Sequence, residues 1–224
     1  MDVFSVTHGV PARWRFITTL ATVGLFIIAA VSGCHSVISV YPLYDSADKN
    51  VIKDPRIVGS WKWNEGQNGD PVTVVVSESK ESHYDVTCTG VMRSDRLINR
   101  KVETVAKTVS KRYDLRLVKV GATHFLDIAP RRVLGPETAA EYEPLLITGH
   151  YIVECTFRGK SLLLRQISPQ RIRELAKQKG SKLTFVESTG NLVLTIKTEE
   201  LQRLLREDAR LVLDERVILL KRLE

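Results

Sequence analysis

The chain is short of almost everything that marks a catalyst or a metal protein by pattern. It has three cysteines, two methionines and only 7% aromatic residues in 224 positions. No redox cysteine pair, nucleophile elbow or phosphate-cradling glycine loop occurs. No two histidines stand four residues apart, and none has cysteines or carboxylates at a recognised ligand spacing. The sequence is therefore read as having no catalytic residue, no cofactor and no metal site. Long apolar runs are equally scarce. Only Phe16–Val31 approaches the length of a membrane span, which excludes a polytopic membrane protein. Low-complexity sequence is missing too, and with 43% hydrophobic residues a wholly disordered chain is excluded. The length fits one domain, or one domain with a targeting segment.

Acidic residues are absent from the start of the chain, where Asp2 is the only one before position 45. What is present there is Arg13 and Arg15, then the uncharged Phe16–Val31 run, then Val31-Ser32-Gly33-Cys34. A basic flank, an apolar stretch and small residues before a cut site are the parts of an export signal. Val31, Ser32, Gly33 and Cys34 resemble the bacterial lipobox at each position. That resemblance implies a signal peptide over 1–33 and diacylglycerol on Cys34, whose lipid chains would supply the membrane affinity. The other reading is an uncleaved single-span anchor with Cys34 at its outer edge. Either way, residues beyond 34 lie across the inner membrane. Among Gram-negative lipoproteins an Asp after the cysteine favours inner-membrane retention. His35 implies the outer membrane, on its periplasmic face, if the cell has one. The processed chain would carry 31 basic and 25 acidic residues, a net +6. For an exported chain, nucleic acid is a poor partner. Anionic lipid headgroups and acidic polysaccharides suit the charge.

After Cys34 the residues up to 56 read as a tether, since Tyr41-Pro42-Leu43-Tyr44 has no period and Asp45–Asn50 is turn-like. Pro55 marks a boundary, so a single domain is expected over 57–224. Alternation dominates there. Tyr84, Val86 and Cys88 share one strand face, as do Tyr113, Leu115 and Leu117, and again Tyr151, Val153, Cys155 and Phe157. Val72–Val76, Phe125–Ile128, Ser161–Leu164 and Val217–Leu220 add further strands. Two helices interrupt them. One is capped by Ser168 with Pro169 in its first turn and ends at Gly180; the other is capped by Thr198. The fold class is mainly antiparallel β, a barrel or strongly curved sheet, with two short helices.

Gly59-Ser60-Trp61, at the start of the first strand, matches the Gly-x-Trp pattern of lipocalins. With the lipobox, Pro42-Leu43-Tyr44, Phe125-Leu126-Asp127, His150–Val153 and Leu194-Thr195 leading into Thr198–Leu201, the chain resembles bacterial lipoproteins that carry a lipocalin-like domain. The resemblance implies a β-barrel with Trp61 plugging one end, Gly59 giving way over it, and an arginine covering the tryptophan. Arg216 and Arg222 both fit that last role. The Thr-Asp-Tyr motif of lipocalins is missing, and the helices precede the last strand. The interior then either holds a small apolar ligand or is filled by side chains, with Trp61, Tyr84, Tyr113 and Phe157 pointing inward.

Cys88 and Cys155 are the thiols left after Cys34, and two arrangements fit them: a disulfide, or two buried free thiols. Glu137, Glu141 and Glu143 read as a solvated face. Arg93–Lys119 carries nine Lys and Arg against three acids, as a helix or an extended arm. It reads as a charged run over an exposed segment or as a contact for anionic lipid or cell-wall polymer. The expected function is a lipid-anchored envelope protein that binds or scaffolds without catalysis. The alternatives are an envelope hydrolase assembled around His150 and Glu154, or a protein anchored by one span without lipid.

Overall fold

A computed structural model describes residues 36–45, 47, 49–64, 70–79, 83–98, 101–131, 149–188 and 191–224. Residues 1–35, with the lipobox and Cys34, and 132–148, with Glu137, Glu141 and Glu143, lie outside the described residues. No helix among the described residues is long and apolar enough to cross a membrane.

Eight strands close into an antiparallel barrel: β3 (Gly59–Asn64), β4 (Pro71–Glu78), β5 (Tyr84–Ile98), β6 (Lys101–Val120), β7 (Thr123–Pro130), β8 (Tyr151–Arg158), β9 (Ser161–Gln166) and β12 (Ile218–Arg222). Neighbours run in the order β6-β5-β4-β3-β12-β9-β8-β7, and the β6–β7 pairing completes the ring. Their alternating residues build the interior. Trp61 and Trp63, Val74 and Val76, Tyr84, Val86 and Cys88, Tyr113, Leu115 and Leu117, Val153 and Cys155, Leu162 and Leu164, Ile218 and Leu220 form one apolar cluster, with Phe157 packed against it. The four aromatic residues expected inside, Trp61, Tyr84, Tyr113 and Phe157, all belong there.

The basic stretch forms an extended arm. β5 loses β4 after Thr89, and β6 gains β7 only at Tyr113, yet β5 and β6 stay paired out to Ile98↔Lys101. Nine residue pairs therefore stand beyond the ring as a two-stranded ribbon, reaching on the order of 30 Å at the usual strand rise.

The expected tether is part of the fold. β1 (Val37–Ser39) lies parallel to β11 (Asn191–Leu194), which pairs with β10 (Phe185–Ser188) in a second, three-stranded sheet. β2 (Val51–Ile52) adds a short strand to β6. The fold thus begins by Ser36 rather than at Ile57. The reason is a second apolar core on the outer face of the barrel. Val118, Val120, Phe125 and Ile152 project outward from β6–β8 and meet Val37, Leu43, Leu192 and Leu194. Two helices, α1 (Pro169–Ala176) and α2 (Thr198–Val212), close over them with Ile172, Leu201 and Leu205. Ser168 caps α1 as expected. Thr198 does not cap α2: it is the first helical residue, and its hydroxyl donates to Pro42 O at 2.8 Å, while the cap is Lys197, whose donor-only side chain makes no cap bond.

Candidate functional site

β7 turns Leu126 into the barrel, so Asp127 faces outward, and there it is covered by the 36–45 segment to 2% exposure. A buried carboxylate needs donors. Leu43 N–H donates to Oδ2 at 2.6 Å, and His150 Nδ1 lies 2.7 Å from Oδ1. A carboxylate only accepts, so that imidazole nitrogen is the donor. Tyr44 meets the His150 ring edge-on, centroids 6.4 Å apart, and carries the Arg116 guanidinium 4.0 Å above its own face. Arg116 is the cross-strand neighbour of Asp127. From the other side α2 holds the same segment, with Gln202 Nε2 donating to Leu43 O at 2.7 Å. Ser39 and His150 exchange both backbone hydrogen bonds, at 2.9 and 2.8 Å.

An aspartate orienting a histidine supplies two of the three members of a nucleophile–base–acid triad. The neighbours use this pair differently. The Ser39 hydroxyl donates to Tyr41 O at 2.6 Å, and Glu154, the other residue of the expected hydrolase site, is held by Arg165, whose Nη2 donates at 2.8 Å. Asp127 and His150 act as a clamp that fastens the first strand to the barrel wall.

The end of the barrel at Trp61 is shut. Trp61 is 1% exposed, and its Nε1–H donates to Ile57 O at 2.9 Å. Of the two arginines that fitted the cover, Arg222 takes it: its guanidinium lies 5.3 Å from the Trp61 ring, and its Nη2 donates to Val58 O. Arg216 instead pairs with Asp214 at 3.0 Å. Gly59 has φ +138°, and a Cβ there would come within 2.9 Å of Arg222 Nη2, so both backbone and space ask for glycine. Arg56 covers Phe157 at 4.6 Å. The bond from Arg56 holds the Asp54 carboxyl below its ordinary range.

Cys88 and Cys155 are free, buried thiols inside the ring; burial pushes each up to about 12. Among the described residues, clefts lie outside the barrel. One of about 420 Å3 runs between the end of α1 and α2, past Leu175, Leu183 and Leu204; another, of about 610 Å3, lies between α1 and Asp214–Arg216.

Two groupings escaped the sequence reading. Asp127 stood in a noted strand, but its partner Leu43 is 84 residues away. His83, Asp85 and Asp114 place one ligand-capable atom each within 4.8 Å of one another, where no metal grouping was expected. Asp85 and Asp114 are direct cross-strand neighbours, which becomes visible only once the register is known. No family model matches the chain, and neither a curated protein nor a solved structure matches it.

Proposed function

We propose that the protein is a lipid-anchored envelope protein that binds or scaffolds without catalysis, held at a membrane by diacylglycerol on Cys34. Where a cell has two membranes, the reading places it on the periplasmic face of the outer one. The observation that favours outer-surface contacts over a carried ligand is the apolar cluster inside the ring: Trp61, Trp63, Tyr84, Tyr113 and Phe157 occupy the space such a ligand would need. Contacts are then made by outer surfaces. Where side chains are described, the β5–β6 ribbon and its base expose Lys107 and Arg112 beside the half-buried Lys111, and the stretch is rich in Lys and Arg. A two-stranded ribbon alone is marginal in water, which favours a partner along it.

Strand directions bear on which partner. β8 runs away from the ribbon, and β1 lies antiparallel to the start of β8 across the Ser39–His150 bridge. Traced back from Ser39 to Ser36, the chain heads away from the ribbon. An anchor at Cys34 and a contact at the ribbon tip then suit opposite directions, which favours anionic cell-wall polymer over the anchoring bilayer. A hydrolase around His150 is the second reading, favoured by the Asp127–His150 contact; it requires His150→Ala to abolish an ester or peptide hydrolysis shown by the wild type.

The test uses cells fed a clickable palmitate. The wild type is expected to take the label and to sediment with membranes, and Cys34→Ser to lose both. Purified lipidated protein should co-sediment with cell-wall polymer, and a Lys107→Glu/Lys111→Glu/Arg112→Glu variant should not. Membrane retention without label in the wild type sinks the lipid anchor. Equal sedimentation of the charge-reversed variant sinks the ribbon contact.

A further inference from the structure

On the outer face of the barrel, Asp85 of β5 stands directly opposite Asp114 of β6. Like charges in that position repel and call for a cation between them. Arg131, the residue after β7, supplies one: its Nη2 bonds to Oδ1 of both aspartates, and its Nε donates to Asp114 Oδ1 at 2.9 Å. One guanidinium leaves the carboxylate pair with a residual negative charge. The imidazole of His83, which immediately precedes β5, completes the group. Its Nε2 lies 3.7 Å from Asp85 Oδ1 and 3.9 Å from Asp114 Oδ1. Both separations are too long for hydrogen bonds. They are close to the spacing of two ligands on one ion, because bonds of about 2.0–2.2 Å at tetrahedral angles set neighbouring ligand atoms roughly 3.5 Å apart.

We propose that His83, Asp85 and Asp114 are the protein ligands of a surface site for a divalent ion of zinc's class, and that Arg131 holds the place of that ion. One imidazole and two carboxylates are hard-to-borderline donors, which suits zinc and its late first-row neighbours. The ion adds a second positive charge where the guanidinium offers one. The strands make the site well ordered, since two ligands sit on paired β-residues and the third is one position from a strand. The Arg131 side chain is 35% exposed and has solvent to swing into. The inference is independent of the anchor at Cys34.

Arg131 makes the test sharp, because it is competitor and neighbour at once. The purified full chain in detergent, as the cell delivers it, is stripped with chelator and titrated with zinc chloride by calorimetry, with the visible spectrum of bound cobalt(II) as a second readout. The wild type is expected to bind one ion per chain. His83→Ala and Asp85→Asn should each weaken binding by about tenfold or more, as removal of a ligand must do at least what removal of a supporting group does. Arg131→Gln should bind more tightly than the wild type, by taking the rival cation away. Two different ligand variants are used so that a loss of fold in one, seen by circular dichroism, leaves the other to decide. Saturable binding missing from the wild type overturns the proposal. So does binding that both ligand variants leave intact, or a weaker Arg131→Gln.

Discussion

Replacing Asp127 by alanine tests whether the first strand is fastened as the geometry indicates. The side chain is buried and accepts from Leu43 N–H at 2.6 Å and from His150 Nδ1 at 2.7 Å. Hydrogen bonds to a charged group contribute about 1.5–3 kcal/mol each, and a buried donor left without a partner costs about 1–3 kcal/mol. The two bonds overlap with those penalties rather than adding to them, so the expected loss is about 3–5 kcal/mol, the range found when one partner of a buried pair is removed. At roughly 2–4 °C per kcal/mol for a domain of this size, the midpoint should fall by about 10 °C. Asp127→Asn keeps one acceptor in the same shape and should lose about half as much. Urea unfolding followed by tryptophan fluorescence reports the barrel, since Trp61 and Trp63 both lie inside it. Hydrogen exchange at the Leu43 amide reports the clamp itself. In Asp127→Ala that amide should exchange freely while Val153 and Leu164, on the barrel's own ladder, stay protected more strongly. A double-mutant cycle with His150→Ala separates the pair from the rest and should show coupling above about 1 kcal/mol. A loss under about 1 kcal/mol with the Leu43 amide still protected would refute the reasoning.

Two further outcomes follow from the barrel. Gly59→Ala should destabilise by about 1–3 kcal/mol, through the positive φ and the approach to Arg222, and should cost less in an Arg222→Ala background, where only the backbone part remains; equal costs in both backgrounds would remove Arg222 from the account. Cys88 and Cys155 should resist thiol reagents at pH 8 until urea opens the barrel. Both are raised from 9.0 to about 12 by burial, so the unfolded chain ionises first as pH rises. Their contribution is complete below pH 9 and is lost between 9 and 12, with a slope of at most about 1.4 kcal/mol per pH unit per thiol. A Cys88→Ala/Cys155→Ala variant should flatten that stretch of the curve, and an unchanged slope would count against buried thiols as its source.

The barrel was legible because its strands are half-buried. Tyr84, Val86 and Cys88 alternate with Asp85 and Thr87, and the alternation survives into the interior cluster. What alternation cannot show is that part of the outer face is covered as well. Val118, Val120, Phe125 and Ile152 interrupt the polar side of β6, β7 and β8, and that break in pattern is a local trace of a second core. Val37–Ser39 gave no period of its own, being three residues long and paired with a strand about 155 positions away. The covering arginine illustrates the same limit. Gly59 and Trp61 pointed to an end-plug, but Arg216 and Arg222 differ only in where the last strand begins. The Asp85–Asp114 pair is likewise invisible until register is set, since one residue of slip would put one of them inside the barrel.

The order in which the chain is made gives the closed ring a further meaning. β3 is the first barrel strand and β12 the last, and they are neighbours: Trp61 stands opposite Arg222. Strand β1 waits for β11 in the same way. A chain released from its amino end must therefore keep two sticky edges open, that of β1 until β11 is available and that of β3 until β12 is. Contacts of such separation are slow to form, and open edges invite pairing with other chains meanwhile. Loss of the last seven residues, 218–224, would leave β3 and β9 without the strand between them. The barrel would then be a curled sheet with a tryptophan at its rim, prone to dimerise through the gap.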